Sequence, residues 1–218
     1  TVTFKDLSSN SPATWSWDFG DGNTSTLQNP ANTYAVANTY DVKVTASNGC
    51  GSNTKTSIAY VTVLNSPTAN FTNTTVCLNN PTSFTDASTG SISAWSWNFG
   101  DGSAANTTQN PSYTYAAATV YFVTLTVTSP GGCTNAIAKF ATVNSLPTAD
   151  FSSTTVCLGN TTNFADLSTG VPTSWSWSFG DGNVSTVQNP SNTYLAFGNY
   201  NVQLSIKNAN NCGSAITK

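Results

Sequence analysis

Arginine, histidine, glutamate and methionine are all missing from these 218 residues, and charged side chains make up only 7% of the chain. The six basic residues are all lysine and the nine acidic ones all aspartate. Each gap argues against a class of function. General acid and base work relies chiefly on histidine and on carboxylates tuned by their neighbours, so sparse Asp and Lys leave little from which to build an active site. Nucleic-acid binding calls for a basic patch, ideally with arginine, whereas the formal net charge is −3. No run nears the roughly 18 apolar residues of a membrane span, and no stretch has the basic, then apolar, layout of a signal peptide, which is expected upstream. An enzyme, a nucleic-acid binder and membrane insertion in this window are therefore not expected.

What is present is a repeat. Trp-Ser-Trp-x-Phe-Gly-Asp-Gly runs from Trp15 to Gly22, from Trp95 to Gly102 and from Trp175 to Gly182, with successive copies 80 residues apart. That period is too long for a helical solenoid and suits a small domain. In an extended strand Trp15, Trp17 and Phe19 share one face, which must be buried. The same holds for Trp95, Trp97 and Phe99, and for Trp175, Trp177 and Phe179. The following Gly-Asp-Gly permits positive φ and local Asp hydrogen bonds, so the chain reverses there.

Around this motif the alternation of apolar and polar residues predicts further strands. They begin at Val2–Asp6, continue through Tyr40–Thr45 and end near Ile58–Val63 in the first copy, with counterparts in the others. The second and third copies open with Thr68–Thr72 and Ala149–Phe151, a segment the first copy lacks. The chain stops at Lys218, before the counterpart of Tyr60–Val63. The expected domains are 1–65, lacking its first strand; 66–145, complete; and 146–218, lacking its last strand. An unpaired edge and an open apolar seam follow, to be filled by continuing chain or by neighbouring molecules. The linkers Asn65-Ser66-Pro67 and Ser145-Leu146-Pro147 are short and stiffened by proline.

Five cysteines fall into the copies as Cys50; Cys77 and Cys133; Cys157 and Cys212. Placing them by repeat predicts Cys77–Cys133 and Cys157–Cys212 disulfides, with Cys50 paired outside the window. Each bridge would close a loop of about 56 residues and contribute about 4 kcal/mol on chain-entropy grounds. Such spacing suits an oxidising, extracellular location. A cysteine metal site is disfavoured, because there is neither histidine nor Cys-x-x-Cys.

The motif, preceded by Phe-x-Asp and followed by Asn-Pro, Thr-Tyr and Tyr-x-Val-x-Leu-x-Val, resembles the PKD (polycystic kidney disease) domain in three copies. The resemblance implies all-β, tandem immunoglobulin-like β-sandwiches of about seven strands, as found in large secreted or cell-surface bacterial proteins. Such domains are spacers in adhesins and surface fibres, or accessory modules beside the catalytic domains of secreted hydrolases. Fold alone does not choose between these.

Among candidate sites, the tryptophans are assigned to the core rather than to a sugar-stacking platform. Tyr113, Phe122 and Phe197 stand apart because they lack counterparts in the other copies. Asp6, Asp86 and Asp166, and Asp21, Asp101 and Asp181, recur in every copy and are the calcium candidates. Calcium needs six or more oxygens, so two Asp per copy serve only if backbone carbonyls complete the shell. Hydrogen-bonded turns are the default, and no other cofactor is expected. Asn-x-Ser/Thr triplets at Asn23, Asn70, Asn73, Asn106, Asn160 and Asn183 are glycosylation acceptors by pattern alone. The resulting expectation is a non-catalytic extracellular structural segment forming a rod, stalk or filament, with neighbouring copies or further repeats as partners. The competing reading is a polysaccharide- or matrix-binding module of a secreted hydrolase.

Overall fold

The computed structural model describes residues 1–218, and its regular elements are β-strands from Val2–Thr3 to Gly213–Thr217. No helix is long and apolar enough to cross a membrane. The contacts divide the chain into two compact units. One comprises Thr1–Pro67, Gly90–Ser93 and Thr128–Asn135; the other comprises Thr68–Thr89, Ala94–Val127 and Ala136–Lys218. The first unit is thus the first copy and its linker together with two loops of the second copy.

In the first unit, a four-stranded antiparallel sheet runs in the order Thr24–Ser25, Thr14–Asp18, Thr39–Asn48, Gly51–Thr62. A two-stranded sheet, Val2–Thr3 with Ala31–Asn32, faces it. Alternation decides what lies between them: Trp17 pairs across the sheet with Val44, and Trp17, Phe19, Phe4, Tyr40, Val42 and Val61 form the buried cluster. The first copy has no strand equivalent to Phe71–Asn73. A cleft of about 1020 Å³ lined by Phe4, Trp17, Val42, Val44, Lys55 and Tyr60 opens in this unit. Pro67 of the linker lies against Gly90, and Leu64 lies against Gly131.

In the second unit, both copies have two facing sheets. The second copy sets Ser112–Tyr113, Thr82–Asp86 and Phe71–Asn73 against Ala94–Asn98, Val120–Thr128, Thr134–Asn144 and Val76–Cys77. Val76–Cys77 joins its sheet in parallel, with Val76 opposite Val143 and Cys77 opposite Asn144. The third copy sets Phe151–Ser153, Thr161–Asp166 and Ser191–Thr193 against Val184–Ser185, Pro172–Ser178, Gln203–Asn208 and Gly213–Thr217. Trp97 and Trp177 sit at the centre of these sandwiches, fully buried, with Phe71 and Phe151 edge-on at 5.0 and 5.1 Å. Each copy also carries a tyrosine corner. Tyr40, Tyr121 and Tyr200 donate from their hydroxyls to the carbonyls of Val36, Ala117 and Ala196, four residues upstream.

One expectation requires correction. The third copy does not lack its last strand, because Gly213–Thr217 pairs along Gln203–Lys207. Sequence comparison with Tyr60–Val63 looked only at the far half of a 12-residue strand whose near half is enough to close the ladder. Its counterpart in the third copy, Gly213–Thr217, includes Ile216, which packs on the core.

Candidate functional site

The residues that recur most strictly converge on two polar nodes in each copy. The first is the Asp that follows the strand phenylalanine. Asp86 accepts from the Ser88 backbone at 3.0 Å, the Trp95 indole at 2.7 Å and the Gln109 amide at 3.2 Å, and its own N–H donates to Asn110. Asp166 does the same with Ser168, Trp175, Gln188 and Asn189. Asp6 repeats the pattern with Ser8, Gln28 and Asn29, but the Trp15 indole N–H has no hydrogen-bond partner. The motif's outer tryptophans are therefore half-buried, and two of them, Trp95 and Trp175, hydrogen-bond through their indoles. Trp17, Trp97 and Trp177, with Phe19, Phe99 and Phe179, are core.

The second node is the turn aspartate. Asp21 accepts from the Asn23 backbone and side chain at 3.0 Å each and from the Asn32 amide at 2.7 Å. Asp181 accepts from Asn183 and Asn192 in the same way. In the second copy Tyr113 stands where Asn32 and Asn192 stand, donating its hydroxyl to Asp101 at 2.6 Å while stacking on Phe99 at 4.0 Å. Tyr113 is thus a substitute within a repeated node. The sequence missed this role because Asn and Tyr share no class, although their offset from the Asn-Pro dipeptide is common to all copies.

These contacts set the electrostatics. The Ser8 hydroxyl is the main influence on Asp6 and brings its carboxyl down to about 2. Burial pushes Asp21, Asp86, Asp101, Asp166 and Asp181 upward, but the amide, hydroxyl and backbone donors around each outweigh it and hold them below 3.8. The bond to Asp101 raises Tyr113. The oxygens a calcium ion would need already accept N–H and O–H donors, and no three acidic, cysteine or histidine side chains gather into a possible metal cluster. Asp6, Asp21, Asp86, Asp101, Asp166 and Asp181 act in this structure as turn and strand-end acceptors, the default expected of them.

The cysteines are paired differently from expectation. Cys77 is bonded to Cys212, with Cα atoms 5.6 Å apart, and Cys50, Cys133 and Cys157 are free. The reason is strand length. Cys133 precedes the 11-residue strand Thr134–Asn144, whose far end, Asn144, lies opposite Cys77. At about 3.3 Å per residue the two cysteines stand roughly 35 Å apart, far beyond the Cα spacing of about 4.4–6.8 Å that a disulfide spans. Cys157 and Cys212 hold the corresponding places in the third copy. The bond therefore joins the second copy to the third.

The glycosylation triplets separate by what their amides do. Asn23 and Asn183 have theirs bound in the Asp nodes, and Asn73 donates to Phe140. Asn70 accepts from Lys139 through its side-chain oxygen, and Asn106 accepts from Thr108. Asn160 is exposed in a turn. Of the aromatics, Phe197 is exposed, and Phe122 is exposed and pairs with Phe140 at 5.4 Å. Sequence reasoning also missed Lys139 and Lys218, which bind the carbonyls of Phe71 and Phe151 and cover their rings at 5.4 and 5.0 Å. Both lysines lie six residues after a cysteine, a repeated offset that could have revealed them.

Residues 1–63, 65–145 and 144–218 each match the family model described as PKD domain. Among solved structures, the chain is similar to the PKD1 domain of Vibrio anguillarum Epp, at 32% identity over 37% of this chain and 96% of that one, with a TM-score of 0.34. It is similar also to the PKD1 domain of the Vibrio cholerae metalloprotease PrtV, at 29% identity over 37% and 99%, TM-score 0.34. A bacterial ice-binding adhesin of 1.5 MDa aligns at 12% identity over 96% of this chain and 86% of that one, TM-score 0.39.

Proposed function

The chain belongs to the PKD domain family, and from that premise we propose that it is a non-catalytic structural segment of an extracellular repeat protein, a rod, stalk or filament at a bacterial surface. The observation that carries this reading is the Cys77–Cys212 bond, a covalent tie between successive copies rather than within one. A tie of that kind adds nothing to a pocket and resists separation of neighbours under load. It also requires an oxidising compartment, which supports placement outside the cell. The linkers fit the same role. Ser145 accepts a hydrogen bond from the Asn208 side chain in the hairpin of the third copy, and Pro147 lies against Gly170.

Small-angle scattering of the oxidised chain tests the reading. A rod of three modules gives a radius of gyration well above the roughly 17 Å of a compact chain of this length. A value near 17 Å, or retention of the chain on insoluble chitin, cellulose or collagen, would contradict a passive spacer. One observation favours the second reading, a polysaccharide- or matrix-binding accessory module of a secreted hydrolase: the exposed Phe122 and Phe140 rings form a small apolar platform. Retention abolished by Phe122→Ala and Phe140→Ala would establish that module instead.

A further inference from the structure

The free cysteines are placed like the bonded ones. Cys157 follows Cys77 by 80 residues and sits in the same turn: Asn160 N–H donates to the Cys157 carbonyl at 3.0 Å, as Asn80 does to Cys77. On the other side of the bond, the Cys212 N–H donates to the Asn208 side chain at 3.1 Å. The Cys133 N–H donates likewise to the Ser129 hydroxyl, four residues back, at 3.1 Å, and the Cys50 N–H, in a tighter hairpin turn, to the Asn48 side chain two residues back at 2.9 Å. Two local presentations therefore recur along the chain, one for each partner of the disulfide. In the second copy Val76, Cys77 and Leu78 are half-buried, whereas Val156, Cys157 and Leu158 are all exposed. Cys50 is exposed at the tip of its hairpin.

We propose that Cys77–Cys212 is one link of a module-to-module cross-link and that Cys157 is the open end of the next link, taking the hairpin cysteine Cys50 of a second copy of this chain, head to tail. The proposal rests on the structural-segment reading. It rests on more than a lone thiol, because the equivalent residues are already bonded inside this chain. Head-to-tail contacts use two different surfaces, so each added chain leaves a further open end, and they extend into a filament unless the rotation closes a ring. The chemistry is thiol–disulfide exchange with a small disulfide oxidant such as oxidised glutathione. The Cys157 thiolate attacks one glutathione sulfur and releases a first glutathione; the Cys50 thiolate of the second chain then attacks the Cys157 sulfur and releases the second. Two protein thiols are oxidised to one disulfide, and oxidised glutathione is reduced to two thiols.

The test uses the full chain in a Cys133→Ser background, with Cys77–Cys212 verified by peptide mapping. Chains carrying Cys50→Ser offer only Cys157, and chains carrying Cys157→Ser offer only Cys50. With oxidised glutathione, the mixture is expected to form disulfide dimers at least tenfold faster than either chain alone, with Cys157 linked to Cys50. The chain retaining both is expected to form a ladder on non-reducing gels. Equal rates in all three samples mean collision between exposed thiols and overturn the proposal, as does the absence of dimers. Failure here leaves the scattering result untouched, so the two readings fall separately.

Discussion

Gly100 to alanine is a substitution that the strand-to-turn geometry penalises sharply, and Gly102 two residues on supplies its control. Both glycines lie in the left-handed region, at φ +79° and +83°. An added Cβ meets nothing within 4 Å at Gly102, but at Gly100 it would stand 2.5 Å from the Phe122 carbonyl oxygen and 3.1 Å from its carbon. The left-handed conformation costs alanine about 1–2 kcal/mol, offset by about 0.4–1 kcal/mol from the stiffer unfolded chain. Gly102→Ala should therefore cost about 1 kcal/mol or less. Gly100→Ala adds the separation of two packed strands, on the scale of about 1–3 kcal/mol seen for overpacked cores.

The expected difference is about 2 kcal/mol, or roughly thirtyfold in the local opening constant. Unfolding of several modules need not be two-state, so the measurement should be local: hydrogen exchange by mass spectrometry on peptides covering Ala94–Asn98 and Val120–Val127. Protection there should fall roughly thirtyfold further in Gly100→Ala than in Gly102→Ala. Equal losses, or a greater loss at Gly102, would refute the argument that the close approach to Phe122 enforces glycine.

Asp181→Ala takes the acceptor from the buried Asn192 amide and one of two from the Asn183 amide, which keeps Asn192 Oδ1, and should cost the third copy about 1–3 kcal/mol by the same exchange measurement. The six node aspartates have folded-state values below the unfolded one, so the stability they give is complete above about pH 4 and is lost as pH falls through their folded values, about 2 for Asp6. Urea midpoints should be flat from pH 7 to about 5 and decline between about pH 4 and 2. Reduction of Cys77–Cys212 should leave the protection of Ala94–Asn98 and Pro172–Ser178 nearly unchanged while raising exchange at Ser145 and Leu146, because the bond spans copies rather than closing one.

The fold was legible because its signals are short-range. Alternation placed Trp17, Trp97 and Trp177 on a buried face, and Gly-Asp-Gly placed the reversal after them. Both depend on a few consecutive residues. The polar nodes were half legible. Asp86 and Asp101 stood out by recurrence, yet their donors come from Trp95, Gln109 and Tyr113, between 9 and 23 residues away, and only the folded sheets bring them together. Recurrence marked the aspartates as turn acceptors by default; the identity of their donors is legible only in the folded sheets.

The cysteines show why pairing by copy number fails where pairing by strand length succeeds. Two cysteines in one repeat invite a bridge within it, since the loop is short in sequence. A β-sandwich, however, puts residues separated by one full strand at opposite ends of the module, and Cys77 and Cys133 flank such a strand. The end that carries Cys77 in one copy is then the end the linker leaves from, and the hairpin that carries Cys212 is at the end the linker enters. A disulfide at that position closes a loop of 135 residues holding folded sheets of its own. Its effect is accordingly less on the stability of either sandwich than on the freedom of one relative to the other. That is the property a spacer requires, and a binding pocket has no use for it.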